Sequence, residues 1–179
     1  MTPADILNFW FEELTPKQWW VKDPELDARI QQRFGEIHAR ACLSELFAWR
    51  ESPEGRLAEI IVLDQFSRNI YRDHAKAFAA DPLALGLAQV AVQTGDDQKL
   101  VKERRVFLYM PYMHSESAFV HDEAVRLFTE LGIENNLEFE HKHKAIIDRF
   151  GRYPHRNALL GRESTPEELE FLQQPGSSF

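Results

Sequence analysis

Cysteine is almost absent from this 179-residue sequence, which contains only Cys42. One cysteine cannot form an internal disulfide, and no Cys/His spacing typical of a zinc site is present. No apolar run approaches the roughly 18 residues of a membrane-spanning helix, and no basic region precedes an apolar segment as in a signal peptide. We therefore expect a cytoplasmic protein with no membrane partner, no metal and no cofactor.

Basic residues are also scarce, since 21 Lys and Arg against 29 Asp and Glu give a net charge of −8 at pH 7. This balance argues against nucleic acid as a partner. The exception is the segment from His141 to Arg162, where six Lys and Arg accompany a single acid, Asp148. A basic island in an acidic chain suits a small anion, or a set of internal salt bridges, better than a polyanion.

Proline placement predicts where helices begin. Six of the nine prolines follow a residue that commonly caps helices: Thr2, Thr15, Asp23, Ser52, Asp81 and Thr165. A capping oxygen accepts an otherwise unpaired backbone N–H, and proline at the next position loses no hydrogen bond. With the 3.6-residue periodicity between these points, we predict helices at Pro3–Glu13, Pro24–Trp49, Pro53–Arg72, Pro82–Gln93, Asp97–Tyr109, Ser117–Leu131 and Leu137–Phe150, and a short one after Thr165.

No run alternates with a period of two for long enough to predict a strand. The sequence therefore predicts an all-α fold, a single domain over residues 1–179 with about eight helices arranged as antiparallel pairs. Gly132 and Gly151 are expected to end helices, and Pro111 is expected to kink or end its helix. Residues 149–164 are predicted to be an ordered loop rich in Arg and His, and residues 174–179 a frayed tail.

The helix predicted at Pro53–Arg72 is apolar on opposite sides and so should be interior. Asp64 and Arg68 lie in line with a buried stripe, and their i,i+4 spacing allows an ion pair. Arg72 follows four residues later as a like charge and needs an acid or a ligand of its own. Either an internal salt-bridge network or a ligand-facing arginine pair would satisfy this pattern.

A second cluster follows Pro111. Breaking the helix there would turn His114 and Glu116 away from regular geometry, where they could act as an acid/base or ligand pair. The alternative is that Ser115 or Glu116 caps the next helix. A His-x-Glu pair is a weak metal signal, because metal sites usually need three or four convergent ligands.

The third cluster is the loop after Phe150, which carries Arg152, His155, Arg156, Asn157 and Arg162. Arginine binds carboxylate or phosphate through two parallel hydrogen bonds. The same side chains could instead satisfy the loop's own carbonyls when it packs down. Asp64 and Glu116 are natural partners for these arginines, so the loop is either a structural clasp or part of a ligand site.

Three stretches together resemble a bacterial family, domain-of-unknown-function family 924. They are Leu63–Arg72, Phe107–Glu116 and Arg149–Thr165, and the similarity extends over essentially the whole chain, including Phe9-Trp-Phe11 and Ala77–Asp81. The resemblance implies a tetratricopeptide-like helical superhelix or bundle. It implies no established activity, substrate or catalytic residue.

We predict a binding module for a small anionic ligand or an acidic peptide, with the three motifs converging on one pocket. The candidate binding residues are Arg68, Asn69, Arg72, Tyr109, Arg149, Arg152, Arg156, Asn157 and Arg162. Two alternatives stay open. One is a hydrolase that uses Asp64 or Glu116 with His114 or His155; the other is a protein-interaction scaffold in which the motifs are structural. The oligomeric state is not predicted.

Overall fold

The computed structural model describes residues 1–178, so the last residue of the predicted tail lies outside the described residues. Its α-helices are α1 Pro3–Asn8, α2 Pro24–Cys42, α3 Pro53–Ile61, α4 Ser67–Ile70, α5 Asp81–Gln93, α6 Lys102–Met113, α7 Ala118–Leu131, α8 Glu134–Phe150 and α9 Pro166–Phe171. Two π-helical segments, Phe9–Glu13 and Val62–Phe66, extend α1 and join α3 to α4. The predicted all-α class is confirmed, with no strand among the described residues.

Local chemistry fixes most helix ends. The side chains of Thr2, Asp23, Ser52 and Thr165 each accept a backbone N–H at the start of a helix, as the proline pattern predicted. Gly132 and Gly151 adopt left-handed backbone angles at the ends of α7 and α8. The predicted cap at Asp81 is wrong, because Ala80 occupies that position and Asp81 is the first helical residue. Its carboxylate instead binds Arg68.

Several predicted helix boundaries are also wrong. The second helix ends at Cys42 rather than Trp49, because Ser44 takes a left-handed φ of 59° and the N–H of Glu45 bonds back to the Arg40 carbonyl at 3.0 Å. This closure is one that glycine usually provides. The α6 helix begins at Lys102, and it continues through Pro111 to Met113. A proline in the last turn removes one ladder hydrogen bond, and the burial of Pro111 and its two successors offsets that loss.

The main core lies between α1, α2, α3, α5 and α6. Phe9, Phe34 and Phe66 form an aromatic centre with ring centroids 4.7–6.0 Å apart. Helices α7 and α8 pack against α6 and each other. A smaller cluster, built on Ile146, Ile147 and Tyr153, anchors the segment after α8 to the rest of the fold.

The segment Ala75–Gln93 is long and apolar enough to cross a membrane by length and composition, with a mean hydropathy of 1.2. Core helices of folded domains meet the same criterion. In this fold the segment includes a 3-10 turn at Ala75–Phe78 before α5. Its Asp81 carboxylate accepts two hydrogen bonds from Arg68.

Candidate functional site

The π-helical segment Val62–Phe66 positions the first candidate residue, Asp64, which is wholly buried. Its carboxylate accepts hydrogen bonds from Gln65 Nε2 at 2.6 Å and His114 Nδ1 at 2.7 Å. The Arg68 guanidinium lies 3.1 Å away, as the i,i+4 spacing predicted. Burial opposes ionisation of Asp64, but Arg68 and His114 outweigh it and lower the pKa of the carboxyl to about 2. Asp64 is therefore an anion enclosed by its partners.

Arg68 joins α4 to the start of α5. Two of its nitrogens donate to the two oxygens of Asp81 at 2.9 and 3.0 Å, and Nη1 also donates to the Asp64 carbonyl at 2.9 Å. A bidentate pair of this kind is among the stronger polar contacts in proteins. Burial would lower the pKa of Arg68, but Asp64 and Asp81 outweigh that effect and raise it. The charge of Arg68 is thus well compensated.

Arg156 approaches the same place from the loop after α8, and its charge is compensated less well. The guanidinium carbon lies 4.5 Å from the ring centre of Phe78 and 4.6 Å from that of Tyr153. Its Nη2 donates to the His114 carbonyl at 3.0 Å, and Nη1 reaches Asp81 at only 3.4 Å. Its Nε is enclosed without a partner among residues 1–178. Burial and the neighbouring Arg68 lower the pKa of Arg156.

His114 follows α6 directly and is mostly buried, with 12 % of its side chain exposed. Its Nδ1 faces Asp64, while Nε2 has no hydrogen-bond partner within the described residues and is not enclosed. Burial and the charge of Arg68 lower the pKa of the imidazole below its ordinary value, against the opposing pull of Asp64. The ring is therefore neutral at pH 7.

Of these four residues, His114 and Arg156 line a shallow depression of about 440 Å³. Polar side chains from Asp81, His114, Ser115, Glu116 and Arg156 form one part of its wall. The rest is apolar and consists of Ala75, Phe78, Ala79, Pro82, Leu85, Pro111 and Leu160. A depression with a mainly apolar wall and a few convergent polar groups is typical of a small-molecule site.

Glu116, at the rim of the depression, holds the loop in place. It accepts from both terminal nitrogens of Arg162 at 2.7 and 2.9 Å, and from the backbone N–H of Tyr153 at 2.7 Å. Burial opposes ionisation here, yet Arg162 and the Tyr153 N–H together lower the pKa of the Glu116 carboxyl. This pair has the geometry of a clasp, which is one of the two alternatives that the sequence leaves open for the loop.

Four further residues from the predicted binding set form hydrogen bonds with carboxylates outside the depression. Asn69 and Arg72 bind Asp27, Tyr109 donates to Asp97, and Arg149 donates to Glu167. Arg72 thus pairs with an acid, which is one of the two partners expected for a like charge four residues after Arg68. None of the four lines the depression.

The remaining loop residues mostly support the clasp. Arg152 donates to both oxygens of Glu168, and Asn157 donates to Glu168 and Ser164. The His155 ring lies beside that of Tyr153 and outside the lining of the depression. Burial lowers the pKa of His155 to about 4, so it is neutral at pH 7.

Sequence reasoning missed two residues of this site, Phe78 and Asp81. Both belong to the Ala77–Asp81 stretch, where the sequence predicts a helix cap at Asp81 and assigns no role to Phe78. Only the placement of Arg68 and Arg156 shows their roles. No group of three or more His, Cys, Asp or Glu among residues 1–178 is arranged to hold a metal ion.

A second concave surface lies between α5, α6 and α7, with a volume of about 300 Å³. It is bordered by Phe119, which is 85 % exposed, by Val92, Tyr112 and Val120, and by the polar residues Gln89, Gln93 and Glu123. An exposed apolar groove is the feature that the scaffold alternative requires.

Comparison with known proteins places the chain in a family. The family described as "Bacterial protein of unknown function (DUF924)" matches residues 6–176, and the chain belongs to that family. A solved structure of a protein of unknown function from Agrobacterium tumefaciens is similar, with 40 % sequence identity and a TM-score of 0.91. The match covers 96 % of each chain. Among curated proteins, none matches.

Proposed function

We propose that this protein, which belongs to a family of unknown function, binds a small anionic ligand in the depression. The anionic group would lie against Arg156, and an apolar chain would lie along Phe78, Leu85, Pro111 and Leu160. The observation that carries the proposal is the incomplete neutralisation of a buried arginine at the wall of an open, mainly apolar depression.

A comparison between arginines supports this choice of residue. Within residues 1–178, every other arginine whose pKa departs from its ordinary value has it raised by a carboxylate partner. Arg156 has a lowered pKa because it is buried beside Arg68 and has only a long contact with Asp81. A buried charge without a close counter-ion is costly. An anion bound from solvent would reduce that cost and gain affinity from it.

The shape of the depression limits the ligand. A volume of about 440 Å³ falls within the roughly 300–1,000 Å³ usual for small-molecule sites. Apolar residues outnumber polar ones along its wall. We therefore expect a carboxylate or phosphate at the end of a short apolar chain.

Calorimetric titration with hexanoate and hexyl phosphate tests the proposal, with hexanol as a neutral control. We expect at least one of the two anions to bind and hexanol not to bind. Arg156→Gln should abolish binding, whereas Arg72→Gln should leave it unchanged, since Arg72 pairs with Asp27 elsewhere. Equal behaviour of the anions and hexanol, or full binding by Arg156→Gln, would refute the proposal.

A second candidate is hydrolysis, favoured by the buried Asp64–His114 pair. A buried carboxylate on Nδ1 fixes the imidazole so that Nε2 can accept a proton from water. Asp64 itself is enclosed and could only position His114. Turnover of p-nitrophenyl hexanoate that is lost in His114→Gln would support this candidate, and a rate equal in both proteins would reject it.

A further inference from the structure

We propose that the ligand of this depression carries a hydroxyl group near its anionic group, so that the site selects hydroxycarboxylates over simple carboxylates. The inference rests on the proposed function and goes beyond it by naming a ligand class. It follows from which hydrogen-bonding group His114 presents to the depression.

The first step is the position of the ring proton. The ionised carboxylate of Asp64 can only accept hydrogen bonds. Its contact with His114 Nδ1 at 2.7 Å therefore requires that Nδ1 carry the proton. Gln65 and Arg68 hold the same carboxylate from other sides, so it cannot turn away from the ring.

The second step is the state of Nε2. With one proton on the neutral ring, Nε2 has a free lone pair and is an acceptor. A second proton would place a charge in a mostly buried position, and both burial and the charge of Arg68 disfavour it. His114 is part of the wall of the depression, and among residues 1–178 its ring makes one hydrogen bond, through Nδ1, which leaves Nε2 available. The site thus presents an acceptor to the ligand.

The third step combines the two polar groups of the wall. The guanidinium of Arg156 contains only donors, so it requires an acceptor such as a carboxylate. His114 Nε2 requires a donor, and a carboxylate oxygen placed against it would be repelled. Arg156 Nη2 contacts the backbone carbonyl of His114 at 3.0 Å, and both residues line the depression, so the two residues are neighbours there. A hydroxyl one or two carbons from a carboxylate supplies the matching pair.

A nuclear magnetic resonance experiment tests the tautomer without any ligand. Two-bond proton–nitrogen correlation spectra of the full chain at pH 7 report which ring nitrogen is protonated. The His114 signals are those missing from the His114→Gln spectrum. We expect a protonated Nδ1 and an unprotonated Nε2. A protonated Nε2 would overturn the inference.

Titration with hexanoate, 2-hydroxyhexanoate and 3-hydroxyhexanoate tests the selectivity. We expect one hydroxy acid to bind at least about tenfold more tightly than hexanoate, the size of effect that follows from leaving one polar group unpaired. The difference should disappear in His114→Phe, which keeps an aromatic ring but has no acceptor. It should also disappear in Asp64→Asn, where the side-chain amide can donate to Nδ1 and move the ring proton to Nε2.

The outcomes separate the two proposals. Binding of hexanoate with no gain from either hydroxyl would overturn the hydroxyl requirement and leave the anion site intact. Absence of binding by all three acids would overturn this inference, and absence of binding by hexyl phosphate as well would overturn the proposed function. A hydroxyl preference that persists unchanged in His114→Phe would assign the selectivity to another residue and overturn the role of His114.

Discussion

Replacing Arg68 should lower the free energy of unfolding more than replacing any single exposed charged residue. Arg68→Met keeps the apolar stem but leaves the carboxylates of Asp64 and Asp81 without their main cation. Asp64 keeps only Gln65 and His114 as hydrogen-bond donors. An anion that is wholly buried and only partly compensated is strongly unfavourable in the folded state.

The structure sets the size of the effect. Breaking a buried ion pair from one side typically costs about 3–5 kcal/mol. We expect the lower end, about 3 kcal/mol, because Asp81 is partly exposed and retains a long contact with Arg156, and Asp64 keeps two donors. For a chain of this length each kcal/mol lowers the melting temperature by about 2–4 °C, so the expected loss is about 6–12 °C.

Acid should reduce the difference between the two proteins. The folded-state pKa of Asp64 is lowered to about 2 from an ordinary value of 3.8. Its stabilising contribution is therefore present above pH 3.8 and lost as the pH falls towards 2. Without Arg68 the carboxyl of Asp64 would have a higher folded-state pKa and lose less on acidification. The gap in unfolding free energy should hold from pH 7 to about 4 and narrow below that.

Urea unfolding followed by circular dichroism measures these differences, and Arg126→Met is the matched control. Arg126 also pairs with two carboxylates, Glu123 and Glu130, one of them at i,i+4, but about half of its side chain is exposed. Such surface pairs contribute about 0.2–1 kcal/mol. If Arg68→Met cost no more than Arg126→Met, the claim that a buried ion network joins α4 to α5 would be wrong.

Three further substitutions test other parts of the fold. Gly55→Ala should destabilise by about 1–3 kcal/mol, because an added Cβ would lie 1.9 Å from the backbone oxygen of Trp49; thermal unfolding would show it. Gly86→Ala should instead stabilise by about 0.5–1 kcal/mol, since open space surrounds that position within α5, and a lowered melting temperature would contradict this. Glu116→Gln should cost about 1–2 kcal/mol by removing the charge opposite Arg162; limited trypsin digestion should then cut the 149–162 loop faster, and an unchanged rate would refute the clasp.

The sequence predicted those features that depend on neighbours along the chain. Capping by Thr2 and Ser52 needs only the next three residues, and the Asp64–Arg68 pair needs only one helical turn. The end of α2 was missed because Ser44 performs a backbone turn that glycine usually signals. The long-range partners were also beyond local pattern: Arg72 finds Asp27 across 45 residues.

The same dependence on long-range partners explains why the sequence does not show which arginines of the loop are structural and which one faces a ligand. Arg152, Arg156 and Arg162 are the same residue type in one loop, and residue type alone does not show which of them meets a carboxylate. Two of them meet a carboxylate through paired hydrogen bonds and fix the loop, whereas Arg156 is carried inward between Phe78 and Tyr153. An arginine of this loop is therefore a clasp residue if it has a carboxylate close by, and a candidate ligand-binding residue if it does not.

At the centre of the site the nearby carboxylates are divided unequally between Arg68 and Arg156. Asp81 is the acid nearest to both Arg68 and Arg156, and it gives its two short contacts to Arg68. Because Asp64 also faces Arg68, one arginine has two anions while its neighbour has a distant one. The positive charge left over lies at the wall of the depression, and His114, held neutral by burial and by Arg68, adds no charge there. An arrangement that only held the fold together would gain stability from a closer partner for Arg156. Its absence among residues 1–178 is what directs the functional proposal to this residue.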